Sequence, residues 1–305
     1  MSKCIVVGGC NVDIFGKSNG EIIPADSNIG KIGIFAGGVG RNIAENIARM
    51  GEETQMLSAL GNDANADFLR NNLSGLGIDY SLSESMEISS SCYMFIADNK
   101  GEMQLAVSDM EIYDIATAKM LEGKFDKVNQ NEILVLDTNF SQDVIDCVFE
   151  NTTIPIFVDT VSTKKAEKIK KHLSKITYIK PNALEAEVLT GIKVEDEESA
   201  IKACDSLINQ GVKCVFLTLS EKGGIAKTKD EFVKSEIFKA QTVNTTGAGD
   251  SFVGGAVFGI LQGASLSKIL NYAMAAASIC VQSQDTISKE LTREKLLAVA
   301  SANKN

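Results

Sequence analysis

Short apolar runs alternate with helical patterns along most of the chain. An opening run from Cys4 to Gly9 ends in glycines, and a helical pattern follows each of the later runs at 55–61, 133–136, 154–159, 176–180 and 214–219. Apolar runs without polar alternation are typical of strands that are buried on both faces. The alternation therefore predicts βαβ units, a mostly parallel sheet and an α/β fold. Because no linker or repeat divides the pattern, we expect one domain over residues 1–305.

Two segments, 14–35 and 91–108, interrupt this alternation. The first is polar and rich in turn formers, and it lacks the pattern of a crossover helix. The second has two apolar runs, Cys92 to Ala97 and Met103 to Val107, around a polar turn, which is typical of a β-hairpin. We expect both segments to form a small β-sheet lid that stands off the main sheet.

A glycine-containing loop, Gly247 to Asp250, precedes a strong helical pattern. One buried helix face is predicted from the apolar spacing of Val253, Ala256, Val257 and Ile260. The first N–H groups of such a helix have no intrahelical partner and lie at the positive end of its dipole, so the loop suits an anion. Asp250 would repel a phosphate. Two interpretations of it are open: a general base for a substrate hydroxyl, or a helix cap.

A second glycine cluster, Ala36 to Asn42, introduces another predicted helix. The apolar stripe of this helix ends before Gly51. A dinucleotide fingerprint is excluded because Ile43 stands where that pattern needs a small residue. A simple tight turn remains an alternative interpretation of the glycines.

Polar residues also follow several predicted strands, where ligands of open α/β sheets gather. Asn11 and Asp13 follow the opening run and could bind sugar hydroxyls, or they could be ordinary turn residues. Asn182 and Glu185 lie three residues apart at a helix start, so Glu185 could hold magnesium, or the two could form a capping box. The turn that carries Thr218, Ser220 and Gly223 ends the last apolar run, and it could touch a nucleotide or merely reverse the chain.

Charge and composition narrow the functional classes. The 305 residues carry a formal net charge of −10, which argues against a nucleic-acid surface because such a surface needs a basic patch. The one dense basic run, Lys164 to His172, is interpreted as the solvated face of a helix. His172 is the only histidine, which argues against a Ser-His dyad and against a site with several histidine ligands.

The chain has no apolar run long enough to span a bilayer, and we find no targeting segment. We therefore expect a cytosolic, cytoplasmic protein without a membrane partner. Its seven cysteines are scattered and contain no C-x-x-C pair, which favours reduced structural thiols over disulfides or a zinc site.

Taken together, the two glycine-rich segments resemble the paired signatures of the ribokinase-like (PfkB) carbohydrate kinases. These signatures are Ala36-Gly37-Gly38-Val39-Gly40-Arg41-Asn42 and Asn244-Thr245-Thr246-Gly247-Ala248-Gly249-Asp250, and the resemblance covers nearly the whole chain. It implies a three-layer ribokinase-like fold with a β lid, and transfer of a phosphoryl group from ATP with Mg²⁺.

The resemblance also implies individual roles. Asp250 would be the base, and the amides of Gly247, Ala248 and Gly249 would form an anion hole. Thr246 would contact the nucleotide. Acceptor contacts would come from Asn11, Asp13, Gly38, Gly40 and Asn42. Phosphate and magnesium would be served by Asn182 and Glu185, and the nucleotide by Thr218, Ser220 and Gly223.

Within that family the chain is similar to the kinases that phosphorylate pseudouridine. The similarity lies in Asp26-Ser27-Asn28 followed by Gly30, in the segment from Gly37 to Asn46, in Asp109-Met110 and in 283–288. It implies a nucleoside acceptor that is phosphorylated at its 5′ hydroxyl. Ser27, Asn28, Asp109 and Asn139 would then contact the ribose or the base.

Three departures from the family pattern bear on these roles. Asn244 replaces the usual Asp of the second signature, Ser220 replaces a common glycine of the nucleotide turn, and the segment after Val281 lacks a Lys-Gly-Ala type of loop. That loop binds a monovalent cation in ribokinases, so the resemblance does not decide whether potassium activates this protein.

Other functions stay open at this point. The nearest is a kinase of the same family acting on ribose, fructose or another nucleoside. A non-catalytic ligand-binding protein on this fold and a nucleotide-dependent oxidoreductase are more distant. We also expect a homodimer through the lid, because exposed sheet edges and faces favour association.

Overall fold

A computed structural model of the chain describes residues 3–302; residues 1, 2 and 303–305 of the predicted domain lie outside this range. The strands β1 to β14 cover Lys3–Val7, Asn11–Ser18, Gly30–Gly37, Glu53–Leu57, Ala59–Leu60, Glu84–Ser85, Cys92–Ala97, Met103–Asp109, Ile133–Asp137, Ile156–Asp159, Tyr178–Lys180, Cys214–Thr218, Gly224–Thr228 and Phe232–Ser235. The helices α1 to α11 cover Val39–Arg49, Ala64–Gly75, Glu111–Ile115, Phe125–Val128, Gln142–Asn151, Thr163–Ala166, Ala183–Thr190, Glu197–Asn209, Ala248–Leu261, Leu266–Val281 and Arg293–Ala302.

The main sheet has eight strands in the order β14-β13-β12-β11-β10-β9-β1-β4. The first five pairings counted from β4 are parallel, and the two that involve β13 are antiparallel. This arrangement confirms the predicted α/β fold with a mostly parallel sheet.

Helices cover both faces of this sheet because each central strand is apolar on both sides. In β1, Val6 packs into the core formed with α1, α9 and α10, whereas Ile5 and Val7 pack into the opposite core with α5. The three-layer arrangement follows directly from the uninterrupted apolar runs of the sequence.

A second sheet of four strands has the order β3-β2-β7-β8. Strands β2 and β7 pair in parallel, and the other neighbours are antiparallel. The predicted hairpin is confirmed as β7 and β8. Strand β2 begins at Asn11, ahead of the predicted lid start at 14, so Asn11 and Asp13 lie in a strand of this sheet and the turn interpretation of them is wrong.

Two predicted elements differ from the structure. The strand expected over 55–61 is interrupted at Ser58, whose hydroxyl donates to the carbonyl of Gly8 over 2.7 Å while its amide donates to the Ser83 hydroxyl. Strand β12 is followed by a short 3₁₀ turn, Ser220–Lys222, and the antiparallel strand β13 rather than by a helix. Bonds to the distant residues Gly8 and Ser83 hold Ser58 out of the strand ladder, whereas local turn bonds at 219–223 end β12 and override the apolar period.

The interpretation of the basic run as a solvated face is wrong in part. Helix α6 continues into a 3₁₀ helix, Glu167–Lys175, in which His172 is buried and stacks on Phe149 with ring centroids 4.4 Å apart. Lys168 also turns inward, and its ammonium donates to the carbonyl of Phe140 over 2.6 Å. This run therefore packs against α5 and the end of β9.

The seven cysteines are all free thiols, and five of them are buried. No helix within residues 3–302 is both long enough and apolar enough to cross a membrane.

Candidate active site

The start of α1 lies directly against the end of β1. A buried carboxylate, Asp137 at the end of β9, accepts hydrogen bonds from the amides of Gly9 at 2.8 Å and Gly40 at 2.7 Å. Its other oxygen accepts from the amide of Asn139 over 2.9 Å. Burial raises the pKa of Asp137, and these hydrogen bonds counteract the rise. The carboxylate thus fixes the two glycine segments in one place.

Two polar side chains predicted to meet the acceptor lie on β2 beside that junction. The side-chain amide of Asn11 (Nδ2) donates to Asp13 Oδ1 over 2.5 Å. Burial raises the pKa of Asp13 to about 6, although Arg41 and the bond from Asn11 oppose the rise. Asn11 also lies against Gly38, the residue that caps α1 with φ 95°, so the structure brings Asn11, Asp13 and Gly38 together.

Helices α1 and α9 pack closely enough to join the two signatures. A side-chain carbon on Gly254 would lie 2.7 Å from Cβ of Asn46, so only glycine permits this approach. One turn away, the side-chain amide of Asn42 (Nδ2) donates to Asp250 Oδ2 over 2.8 Å. The acceptor-side cluster of Asn11, Asp13, Gly38 and Asn42 therefore shares one site with the loop at α9.

Asp250 lies in the first turn of α9 but does not cap it. The capping residue is Gly247, and no side chain makes a capping bond there. Burial, followed by repulsion from Asp159 and Asp137, raises the pKa of Asp250 to about 7 although the Asn42 bond and Lys180 lower it. A carboxyl group with such a pKa can take up or release a proton near neutral pH.

The loop before Asp250 presents free backbone donors. Gly247 is left-handed with φ 82°, and Ala248 makes a long bond of 3.3 Å from its amide to the Thr245 carbonyl. Among the described residues, the amides of Gly249 and Asp250 have no acceptor. The amide of Thr246 donates to Asn244 Oδ1 over 2.9 Å, so asparagine supplies the oxygen that holds this turn. These donors and the helix dipole suit an anion.

Asn182 and Glu185 form the capping box that the sequence left open. Asn182 Oδ1 accepts from the amide of Glu185 over 2.9 Å, and the amide of Asn182 donates to Glu185 Oε2 over 2.8 Å. Glu185 Oε2 also accepts from the Thr160 hydroxyl over 2.6 Å. Glu185 is buried, and no cluster of three or more His, Cys, Asp and Glu side chains suited to a metal occurs within 3–302.

The turn after β12 lies next to this capping box. Asn182 and Thr218 form an isolated parallel bridge, and the amide of Thr218 donates to the Pro181 carbonyl over 3.1 Å. Ser220 has φ 51° and Gly223 has φ 87°, so both adopt the left-handed backbone that glycine favours. Ser220 therefore keeps the conformation expected of the glycine it replaces.

Other predicted contact residues make no hydrogen bond to Asp250. Asn28 bonds to Ile23 and Asp26 within its own exposed loop, which also carries Ser27. Asp109 is exposed at the end of β8. Asn139 lies against Gly9 and accepts a hydrogen bond from the Lys165 ammonium, which places it beside the acceptor-side cluster.

Sequence reasoning missed three charged residues in this site: Asp137, Asp159 and Lys180. Each is the last residue of a buried strand, β9, β10 or β11. A charged residue that ends an apolar run was the available signal, because the ends of parallel strands meet at one edge of the sheet.

Known proteins match this chain over nearly its whole length. A family model described as "pfkB family carbohydrate kinase" matches residues 1–293. The chain is 32% identical to pseudouridine kinase of Escherichia coli over 299 residues, which cover 97% of this chain and 95% of that protein. It is 28% identical to ribokinase of Haemophilus influenzae over 279 residues, 87% of each chain. The structure of Arabidopsis thaliana ribokinase complexed with ribose and ATP superposes with a TM-score of 0.83 at 24% identity, covering 98% of this chain and 99% of that one.

Proposed function

Because the chain belongs to the pfkB family of carbohydrate kinases, and so is a phosphotransferase with an alcohol acceptor, we propose that it phosphorylates the 5′ hydroxyl of pseudouridine with ATP. Its class, a sugar or nucleoside kinase, rests on the family match over residues 1–293. The choice of pseudouridine is supported by the similarity to the Escherichia coli enzyme.

The observation that carries the mechanism is the 2.8 Å hydrogen bond between Asn42 and Asp250. It sets the Asp250 carboxylate between the acceptor-side residues and the free amides of α9. Asp250 takes the proton of the acceptor hydroxyl as that oxygen attacks the γ-phosphorus of ATP, while the bond from the γ-phosphorus to the β,γ-bridging oxygen breaks and ADP leaves. A base with a pKa of about 7 is well matched to this step at neutral pH.

The negative charge on the transferring phosphoryl group is stabilised by the start of α9. The free amides of Gly249 and Asp250 and the positive end of the helix dipole are fixed before the reaction, so no reorganisation is needed. Gly247 and Thr246 hold the loop in this form through the left-handed turn and the bond to Asn244.

The nucleotide lies on the other side of this loop. Thr218, Ser220 and Gly223 form a turn whose left-handed backbone lets a nucleotide approach, and Asn182 joins this turn to α7. The ATP that the family uses would extend from this turn to the amides of α9.

The donor set near α7 fits a magnesium ion that keeps most of its water. Mg²⁺ commonly binds through one or two carboxylates, water and substrate phosphates. Glu185 is one buried carboxylate, and because its Oε2 already accepts two hydrogen bonds, it would contact the ion through Oε1 or through water. Glu185 would hold the hydrated ion, with Asn182 beside it. The ion supplies charge neutralisation of the phosphates when it is bound.

The acceptor occupies the space beside Asn11, Asp13 and Asn42. Ser27 and Asn28 lie in the loop between β2 and β3 and would reach the acceptor when the second sheet closes as a lid. Asp109 would contact it from the end of β8 rather than from the sheet face that carries Asp13. Closure excludes water, which would otherwise compete as the phosphoryl acceptor.

We also propose that the protein is a homodimer that associates through the lid. Cross-strand register places Ile34, Ile14, Met94 and Val107 in one row, with Ile32, Ile96 and Leu105 in the next. Asp13 belongs to the alternate row, so this apolar face lies opposite the face of the sheet that carries the acceptor residues. A second copy would cover the apolar face.

An acceptor panel tests the function. Purified protein with ATP and Mg²⁺ is given pseudouridine, uridine, ribose or fructose, and ADP release is followed by a coupled assay. We expect the highest kcat/KM with pseudouridine and a product phosphorylated at the 5′ oxygen, identified by phosphorus NMR. Preference for ribose or fructose would favour the alternative substrate classes, and no turnover with any acceptor would favour a non-catalytic protein.

A further inference from the structure

Lys180 and Asp159 form a buried ion pair at the strand ends beneath the loop. They face each other in the register of β10 and β11, and Lys180 Nζ lies 2.9 Å from Asp159 Oδ2. The Lys180 side chain is only 10% exposed and that of Asp159 only 2%. The second Asp159 oxygen accepts from the amide of Val161 over 2.7 Å, which fixes the carboxylate.

The Lys180 ammonium also lies against the first turn of α9. A side-chain carbon built on Gly249 would come within 3.1 Å of Lys180 Nζ. The ammonium is therefore held between the Asp159 carboxylate and the backbone that presents the free amides. An ordinary surface lysine has neither the burial nor the two fixed neighbours.

The charges around Asp250 give this lysine a specific task. Asp250 faces the carboxylates of Asp159 and Asp137, the amide of Asn42 and the thiol of Cys280, and Lys180 is the cation that acts on it. Lys180 itself faces Asp159, Glu185 and Asp250. Burial alone would lower the pKa of Lys180, but Asp159 holds it above its ordinary value. The side chain thus stays an ammonium at neutral pH.

We propose that Lys180, tethered by Asp159, is a positioning residue that sets the charge of the Asp250 base and offsets anionic charge at the start of α9. This inference rests on the proposed kinase function. The tether matters as much as the charge, because Asp159 keeps the ammonium from closing onto Asp250 and blocking its proton transfer.

Two substitutions should move the same titration in opposite directions. Lys180→Met removes the cation, so the pKa of Asp250 should rise and the acidic limb of kcat/KM should move up by about one pH unit. Asp159→Asn removes a repelling carboxylate and frees Lys180 to approach Asp250, so the limb should move down. Loss of the charge in Lys180→Met should also lower kcat about 10²-fold with little change in the acceptor KM.

Matched variants separate this role from mere stability. Lys180→Arg keeps the charge and should leave the limb closer to its original position than Lys180→Met does. Lys202→Met removes an exposed lysine of α8 and should change neither quantity. If Lys180→Met does not fold, judged by circular dichroism, Asp159→Asn carries the test because it keeps the lysine and the shape of the partner.

A second measurement does not depend on turnover. Carboxyl carbons of aspartate are labelled with ¹³C, and the Asp250 signal is identified by its loss in Asp250→Asn. The titration of that signal should shift up in Lys180→Met and down in Asp159→Asn. Unchanged titration in the folded variants would overturn the inference, whereas these shifts in a protein without turnover would overturn only the proposed kinase function.

Discussion

At the scale of single residues, the side chain of Asp250 makes no capping bond to the amides of its own helix. Its carboxylate accepts from Asn42 on a different helix, over 2.8 Å, and Gly247 takes the capping position. A residue used only as a cap would have the opposite arrangement. The geometry therefore favours a role toward a ligand.

Asp250→Asn keeps the shape and the hydrogen-bonding capacity of the side chain but removes its basicity. We expect kcat to fall on the order of 10²–10⁴-fold while ATP affinity, measured by calorimetry, changes little. Asp230→Asn, in an exposed turn, is the matched control and should keep normal turnover. Near-normal kcat in Asp250→Asn would refute the assignment of the base.

The contrast between Asp250 and Lys180 explains what could be predicted at this scale. Asp250 was predicted because its chemistry depends on a loop that is continuous in sequence. The importance of Asp137, Asp159 and Lys180 depends on strands that are adjacent only in the folded sheet, so their single-residue signals were ambiguous. The capping box of Asn182 and Glu185 was one of two predicted outcomes, and metal binding by Glu185 stays a prediction.

At the scale of elements, one buried histidine joins α5 to the 3₁₀ helix Glu167–Lys175. His172 Nε2 lies 2.6 Å from Asp146 Oδ1, and Lys171 lies 2.5 Å from the other oxygen. Burial would raise the pKa of Asp146, but bonds to His172 and Lys171 dominate and lower it to about 2. The lysine-rich pattern alone could not reveal this contact, because the partner carboxylate lies on another helix.

Asp146→Asn should lower the free energy of unfolding by about 1 to 2 kcal/mol at pH 6, because bonds to a charged group are lost. A carboxylate with a lowered folded pKa stabilises the protein above its unfolded pKa, and that contribution disappears as the pH falls from 3.8 toward 2. Urea unfolding of wild type and variant should therefore converge toward pH 2. A difference that stayed constant with pH would contradict this, and Glu150→Gln on the same helix serves as the exposed control.

Helices and strands were predicted correctly where the spacing of apolar residues and the positions of turn-forming residues indicated the same element. The buried strands of the main sheet and the hairpin of β7 and β8 are such cases. The helix expected after β12 was wrong because the left-handed turn at Ser220 and Gly223 reverses the chain into β13. The period of apolar residues in the sequence cannot show that the segment after this turn pairs with β12 as a strand of the sheet.

At the scale of the whole molecule, the lid exposes more apolar side chain than a soluble surface normally leaves in one patch. Ile32 is 78% exposed, Val107 60% and Leu105 58%, all on the same face of the second sheet. Contiguous apolar patches of this kind mark association sites. The homodimer stays a prediction of the sequence, and the register now gives it a specific surface.

Light scattering during size-exclusion chromatography should give the mass of a dimer at micromolar concentration. Leu105→Lys should give a monomer, because association would bury an unpaired charge. Leu297→Lys replaces a partly exposed leucine of α11 and should leave the dimer intact. A monomeric mass for the wild-type protein would refute the proposal.

The bond between Asn42 and Asp250 joins residues 208 positions apart. During synthesis at 5–20 residues per second, the ribosome would need about 10 to 40 s after making the first residue to reach the second. Throughout that interval Asn42 exists without its partner Asp250, so a nascent or prematurely terminated chain that lacks Asp250 carries only part of the proposed site. If Asp250 is the base, as proposed, phosphotransfer competence is acquired late and abruptly, when α9 docks onto α1.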